Sequence, residues 1–109
     1  GCFASRRNAF PGFPPSFHGF GAEEVYVHER IRQRGDRCLC LPSLRWIHRF
    51  GRPDGSPYPN VVHERFANYL VGHRVNGRDE TALVEHYRQF MPDDLIESII
   101  RIVDEVEAS

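Results

Sequence analysis

Lysine is absent from this chain, and all fourteen of its basic residues are arginine. Fifteen acids nearly balance them and leave a formal net charge of −1. Bulk electrostatics therefore push the chain towards neither nucleic acid nor an anionic membrane surface. Arginine forks suit bidentate binding of phosphate or carboxylate, but codon bias in a GC-rich bacterial genome accounts for the missing lysine more simply. Also missing is any apolar run near the roughly 18 residues that a membrane span requires. No signal-peptide pattern is present, so a cytoplasmic location is expected. There are three cysteines, Cys2, Cys38 and Cys40. An odd count, two of them alternating inside an apolar run, does not make a disulfide framework. Cys38-x-Cys40 lacks the second pair that a zinc finger would need, and buried thiols behave as small hydrophobes. No phosphate-cradling glycine loop, nucleophile elbow or Ser/His/Asp arrangement occurs, which removes several large enzyme classes.

What is present fits one domain, or a fragment of one, across residues 1–109. Hydrophobic content is 40% and charged content 27%, ordinary for a globular protein. The first residue is not methionine, which suits either a processed start or a piece of something longer. Residues 1–10 read as a short strand and a turn. Residues 11–22 mix Pro11, Gly12, Pro14, Pro15, Gly19 and Gly21 with Phe10, Phe13, Phe17 and Phe20 at and inside their edges. That composition predicts an irregular loop packed by its own phenylalanines, a form that often borders a site. Glu23 to Arg34 reads as a helix, with acids in its first turn, arginines in its last and Gly35 as its stop. Arg37 to Leu41 reads as a strand cut at Pro42, followed by a second extended segment over 44–48. Phe50 to Pro59 is punctuated by Gly and Pro and predicts a loop.

Asn60 is expected to cap a helix running to about His73, with Val61, Val62, Phe66, Tyr69 and Leu70 at helical spacing and Asn76-Gly77 as the break. A further helix is expected over roughly Glu80 to Phe90, carrying Leu83, Val84 and Tyr87. The last begins after Pro92 with Asp93 and Asp94 in its first turn. Its wide stripe of Leu95, Ile96, Ile99, Ile100, Ile102, Val103 and Val106 must bury against something. The expected fold class is thus α/β: short strands plus a C-terminal helical layer of about three helices. Residues 1–59 form the strand, loop and helix part and residues 60–109 the helical part.

The chemistry-bearing residues gather in the first part. Glu23 and Glu24 stand at a helix N-terminus, where the dipole favours their charged form, behind the small residues Gly21 and Ala22. A carboxylate fixed there could serve as a general base for a hydroxyl, although acids at helix starts are favourable without any such role. His28 lies one turn after Glu24 on the same face. His48 ends an extended segment and precedes a Gly/Pro loop, a position where ligands gather in α/β sheets. Arg45, Arg49 and Arg52 surround it and could clamp a diphosphate or pair with nearby acids. Trp46 and Tyr58 could stack on a sugar or base. His18, His63, His73 and His86 show no metal-ligand spacing.

In order and spacing these pieces resemble the C-terminal half of a GT-A-type glycosyltransferase of the broad family-two superfamily. The mucin-type polypeptide N-acetylgalactosaminyltransferases carry Trp-Gly-Gly-Glu-Asn opening a helix, then a Gly-Gly turn, then a strand ending Pro-Cys-Ser-Arg-Val-Gly-His. Phe20-Gly21-Ala22-Glu23-Glu24 falls on the first segment and Gly35-Asp36 on the turn. Pro42-Ser43-Leu44-Arg45-Trp46-Ile47-His48 falls on the last without a gap. The Gly-Gly-Glu-Asp segment of galactosyltransferases is similar to Phe20–Glu24 as well.

The resemblance implies transfer of a sugar from a nucleotide-diphospho-sugar to an acceptor hydroxyl. Glu24 falls where inverting relatives place the base, and an acid there, where the retaining mucin-type enzymes have asparagine, favours inversion. Glu23 falls on the preceding acid, which binds the acceptor or supports the site. His48 falls on the ligand of a divalent metal, Mn2+ or Mg2+, that bridges the diphosphate. Phe20, Gly21, His28, Arg45, Trp46, Arg49, Arg52 and Tyr58 are then candidates for donor and acceptor binding. Phe20 replaces tryptophan and Ala22 replaces glycine. The resemblance spans roughly residues 1–50, and no Asp-x-Asp or Asp-x-His occurs in the chain. Metal and donor binding would therefore need a complementary N-terminal donor-binding region or chain. The competing expectation is a non-catalytic accessory or interaction domain that docks a partner through its last helix. A nucleic-acid-binding module is disfavoured by the charge balance and the lack of a basic stripe.

Overall fold

The computed structural model describes residues 2–48 and 51–109. Among the described residues four helices form, α1 (Glu23–Gln33), α2 (Val62–Val75), α3 (Thr81–Tyr87) and α4 (Asp93–Ala108), and no strand. The fold is helical, which corrects the α/β, GT-A-like expectation. Residues 2–10, 37–41 and 44–48 are irregular or turn. Pro42 and Ser43 make a turn in which Leu44 N–H donates to Leu41 O at 3.0 Å. The flanking residues do not continue it into a ladder. The physical reason is that a strand needs a partner: a lone two-stranded ribbon is marginal in water. In this chain the segment's apolar side chains (Leu39, Leu41, Leu44, Trp46, Ile47) all stay exposed.

Both helices that end at a glycine do so by the same hydrogen-bond pattern. At the end of α1, Gly35 N–H donates to Arg32 O at 2.9 Å and Asp36 N–H to Ile31 O at 3.2 Å. At the end of α2, Gly77 N–H reaches Arg74 O at 2.9 Å and Arg78 N–H reaches His73 O at 2.8 Å. This is the Schellman closure, which satisfies last-turn carbonyls. The start of α2 departs from expectation. Asn60 does not cap it. Its Oδ1 accepts from Arg65 Nη2, and Val61 takes the boundary position, so the helix starts one residue later and ends two residues later than expected. The third helix is shorter than expected, with Asp79 Oδ1 accepting from Thr81 Oγ1 at 2.9 Å. The fourth starts after Pro92, with Asp93 and Asp94 where the helix dipole favours acids.

The larger core lies between α2 and α4. Phe66, Leu70 and Val71 meet Ile96, Ile99 and Val103, and Tyr87 and Met91 close one end. Each of the fully buried Phe66, Leu70 and Ile96 is worth about 1.5–3 kcal/mol in transfer out of water. Burial also pushes the Tyr87 phenol above its ordinary pKa. A smaller core joins Tyr26, Val27 and Ile31 of α1 to Cys38, and Phe17 packs against both cores. The Phe-rich loop is held by ring contacts, Phe10 to Phe13 at 5.4 Å, Phe13 to Phe17 at 6.3 Å and Phe17 to Tyr26 at 5.4 Å between centroids. Arg74 ties α2 to its neighbours through Glu80 at 2.8 Å, Asp104 at 2.7 Å and Glu107 at 3.4 Å. Its hydrogen bond to Glu80 is the main reason its guanidinium pKa stands above the ordinary arginine value.

Candidate functional site

The start of α1 is built from an unusual backbone. Gly21 has φ 124 and Ala22 has φ 75, so two successive residues occupy positive φ before the helix begins. Ala22 is the one non-glycine residue among those described that does so, and it is buried. A left-handed alanine costs roughly 1–2 kcal/mol, a strain that persists only where the surroundings over-determine it. Close approach is a second constraint, since a Cβ on Gly21 would collide with the Arg65 side chain.

Asn68 of α2 does the over-determining. It is 2% exposed. Its Oδ1 accepts His18 N–H at 3.0 Å, while its Nδ2 donates to His18 O at 2.7 Å and Gly21 O at 3.1 Å. One amide thereby satisfies three backbone groups of the loop that leads into α1. From the other side, both carboxylate oxygens of Glu23 accept Gly21 N–H, each at 3.0 Å. Glu23 is thus folded back on its own helix start and supports the turn. Glu24, the next residue, is half-buried on the first turn.

The remaining candidates fall into separate groups. Phe20 stacks on Tyr58 with centroids 5.1 Å apart, and the Arg65 guanidinium lies 5.9 Å from the centre of the Phe20 ring. Phe20, Gly21, Glu23 and Tyr58 are therefore brought together around the start of α1. Trp46 and His48 pair with each other at 5.1 Å on exposed coil. His28 meets the edge of Phe3 at 5.8 Å, and its carbonyl accepts from Cys38 Sγ at 3.5 Å. Arg45 and Arg52 are exposed on the coil between α1 and α2. Arg49 lies outside the described residues. Among the described residues, no group of three or more His, Cys, Asp and Glu side chains is placed to hold a metal ion. His48 by itself does not fit a divalent cation, which takes several ligands.

Sequence reasoning missed Asn68 and Arg65. For Asn68 the signal was present: an asparagine inside Phe66-Ala67-Asn68-Tyr69-Leu70 is a poor helix former among apolar neighbours, and such a residue needs a partner for its amide.

Two clefts open beside these elements. One, of about 430 Å³, lies between α1 and the end of α2, with Val25, Tyr69 and His73 among its walls. The other, of about 600 Å³, is an apolar groove where Pro14 and Pro15 face Val75, Ile102 and Val106. No helix among the described residues is long and apolar enough to cross a membrane. No family model, curated protein or solved structure matches the chain.

Proposed function

We propose that this chain is the acceptor-side, base-bearing portion of a glycosyltransferase, acting on a nucleotide-diphospho-sugar and an acceptor hydroxyl with inversion. The observation that carries the reading is the paired positive φ at Gly21 and Ala22 directly before two acids. The resembled motif has Gly-Gly at those two positions, and a backbone that demands glycine-like geometry there supports the register of the resemblance. Strain of this kind concentrates where a group must be held in place. In this reading Glu24 removes the proton from the acceptor hydroxyl, and Glu23 with Asn68 fixes the turn that carries it. The stacked Phe20–Tyr58 pair offers an aromatic surface beside the turn. The function is proposed for a helical segment and does not rest on a sheet within it.

His48, Arg45, Trp46 and Arg52, on the coil that leaves α1, are assigned to the donor side, as is Arg49 from its sequence position. A divalent metal, manganese or magnesium, belongs to the proposal only as a group shared with a complementary donor-binding region, because His48 supplies one ligand. The isolated chain is therefore expected to show no metal-dependent binding of sugar nucleotides by titration calorimetry. Micromolar, manganese-dependent binding of such a donor to these 109 residues alone would remove the division of labour. Cytoplasmic location is part of the same proposal.

One observation favours a second reading, a non-catalytic interaction domain. The groove of Pro14, Pro15, Val75, Ile102 and Val106 leaves part of the α4 stripe uncovered, with Ile102 57% exposed. Loss of partner binding in an Ile102→Asp variant, with sugar transfer absent throughout, would favour that reading over the enzyme.

A further inference from the structure

The cleft between α1 and α2 has a chemistry of its own. Glu29, Arg32, Asn76, Arg78 and Asp79 supply its polar groups, and Tyr69 an aromatic wall. Its volume of about 430 Å³ falls within the roughly 300–1,000 Å³ of small-molecule sites. Formal charge cancels inside it. Glu29 pairs with Arg78 at 3.1 Å and with Arg32 at 3.8 Å, and Asp79 offsets the second guanidinium. An anion would have to break these pairs to find a partner, so nucleotides and free phosphate are disfavoured.

A neutral ligand that both donates and accepts is favoured instead. Guanidinium groups only donate, and ionised carboxylates only accept. His73 Nδ1 lies 2.8 Å from the Tyr69 carbonyl, which can only accept, so Nδ1 is the donor of this pair and Nε2 is the ring's remaining polar atom. Asn76 lines the cleft while only 8% exposed, and its Oδ1 is itself buried without a hydrogen-bond partner among the described residues. Gln33 Nε2 holds the Asn76 carbonyl at 2.6 Å, which keeps this end of α2 against α1.

From this set we infer that the cleft binds a neutral sugar through its hydroxyls, with the ring against Tyr69. Vicinal hydroxyls present a donor and an acceptor at each carbon and match a lining of mixed guanidinium, carboxylate, imidazole and amide. The apolar face of a pyranose suits an aromatic wall. Ala22 and Val25, on either side of the proposed base in sequence, also line the cleft, so the bound sugar is assigned as part of the acceptor. That assignment of role rests on the glycosyltransferase reading; the binding does not.

The test is a backbone-amide NMR titration of the whole chain with N-acetylglucosamine and, separately, with inorganic phosphate. Saturable shifts are expected at Val25, Tyr69, His73 and Asn76 with the sugar and not with phosphate. Arg78→Ala removes an exposed side chain without disturbing the core, and is expected to weaken the sugar about tenfold, the loss of one charge-assisted bond. Tyr69→Ala should weaken it at least as much, with the variant's spectrum confirming the fold. Shifts that centre elsewhere, that phosphate reproduces, or that survive both substitutions unchanged would overturn the inference. Sugar binding in the cleft without turnover in a complete protein would remove the enzyme reading and leave this one standing.

Discussion

Asn68 acts on the loop before α1 much as a cap side chain acts on a helix end, except that it reaches across from another helix. Its three bonds fix the chain at His18 and Gly21, four and one residues before Ala22, the left-handed residue from which the helix starts. Replacing it by alanine leaves one backbone N–H and two carbonyls short of partners, the Gly21 carbonyl buried and the His18 pair partly so. The expected cost is about 1–3 kcal/mol, read as a lower urea midpoint with unchanged slope. The His18 amide should also exchange faster with solvent. An unchanged midpoint together with unchanged His18 exchange would show that the loop holds its shape without the clamp. Arg65 has a comparable double role on the same helix, lying over Phe20 while its stem blocks any side chain at Gly21.

At the scale of elements, the start of α1 is where local preference and observed backbone disagree. Alanine favours helix interiors, yet Ala22 is held at φ 75. Ala22→Gly is therefore expected to stabilise the protein by about 0.5–1 kcal/mol, strain relief exceeding the greater flexibility of glycine when unfolded. A melting temperature lowered by the substitution would mean that burial of the Ala22 methyl outweighs the strain. The helices themselves were legible from sequence because their signals are local. Apolar residues at Phe66, Leu70, Ile96, Ile99 and Val103 repeat at helical spacing, and Gly35, Asn76-Gly77 and Pro92 stand at the ends. Asn60 misled because its side chain bonds to Arg65 rather than to the first turn. The expected strands were not recoverable from the segment alone, since a strand is defined by the chain beside it. Arg37–Leu41 has the alternation of a strand and no ladder among the described residues. The candidate site was half legible: the acids at the start of α1 stand where expected, but its clamp on α2 is 44 or more residues away in sequence and left no local pattern.

The whole molecule is less compact than its length requires. Its radius of gyration is 15.7 Å, against about 13 Å for a compact domain of 100 residues. The difference lies in the coil between α1 and α2, where the described residues are exposed apart from Cys38 and Val61, and where Ile47 is 91% exposed. Beyond Cys38, which packs on the smaller core, such a stretch opens without disturbing either core. Trypsin is expected to cut first after Arg37 or Arg45 (Pro53 protects the bond after Arg52), leaving α2 to α4 intact on a time course followed by mass. First cuts after Arg65, Arg74 or Arg101 would contradict that arrangement. The same coil carries the proposed donor-side Arg45, Trp46, His48 and Arg52, so it is expected to be covered when a donor-binding region is present. The most direct measurement compares sugar transfer and donor binding by wild type and Glu24→Gln, in a protein that holds this chain together with its donor-binding region. Turnover is expected to fall by about 10²–10⁴ with donor affinity nearly unchanged. Undiminished turnover, or equal loss of both with the fold preserved, would contradict it.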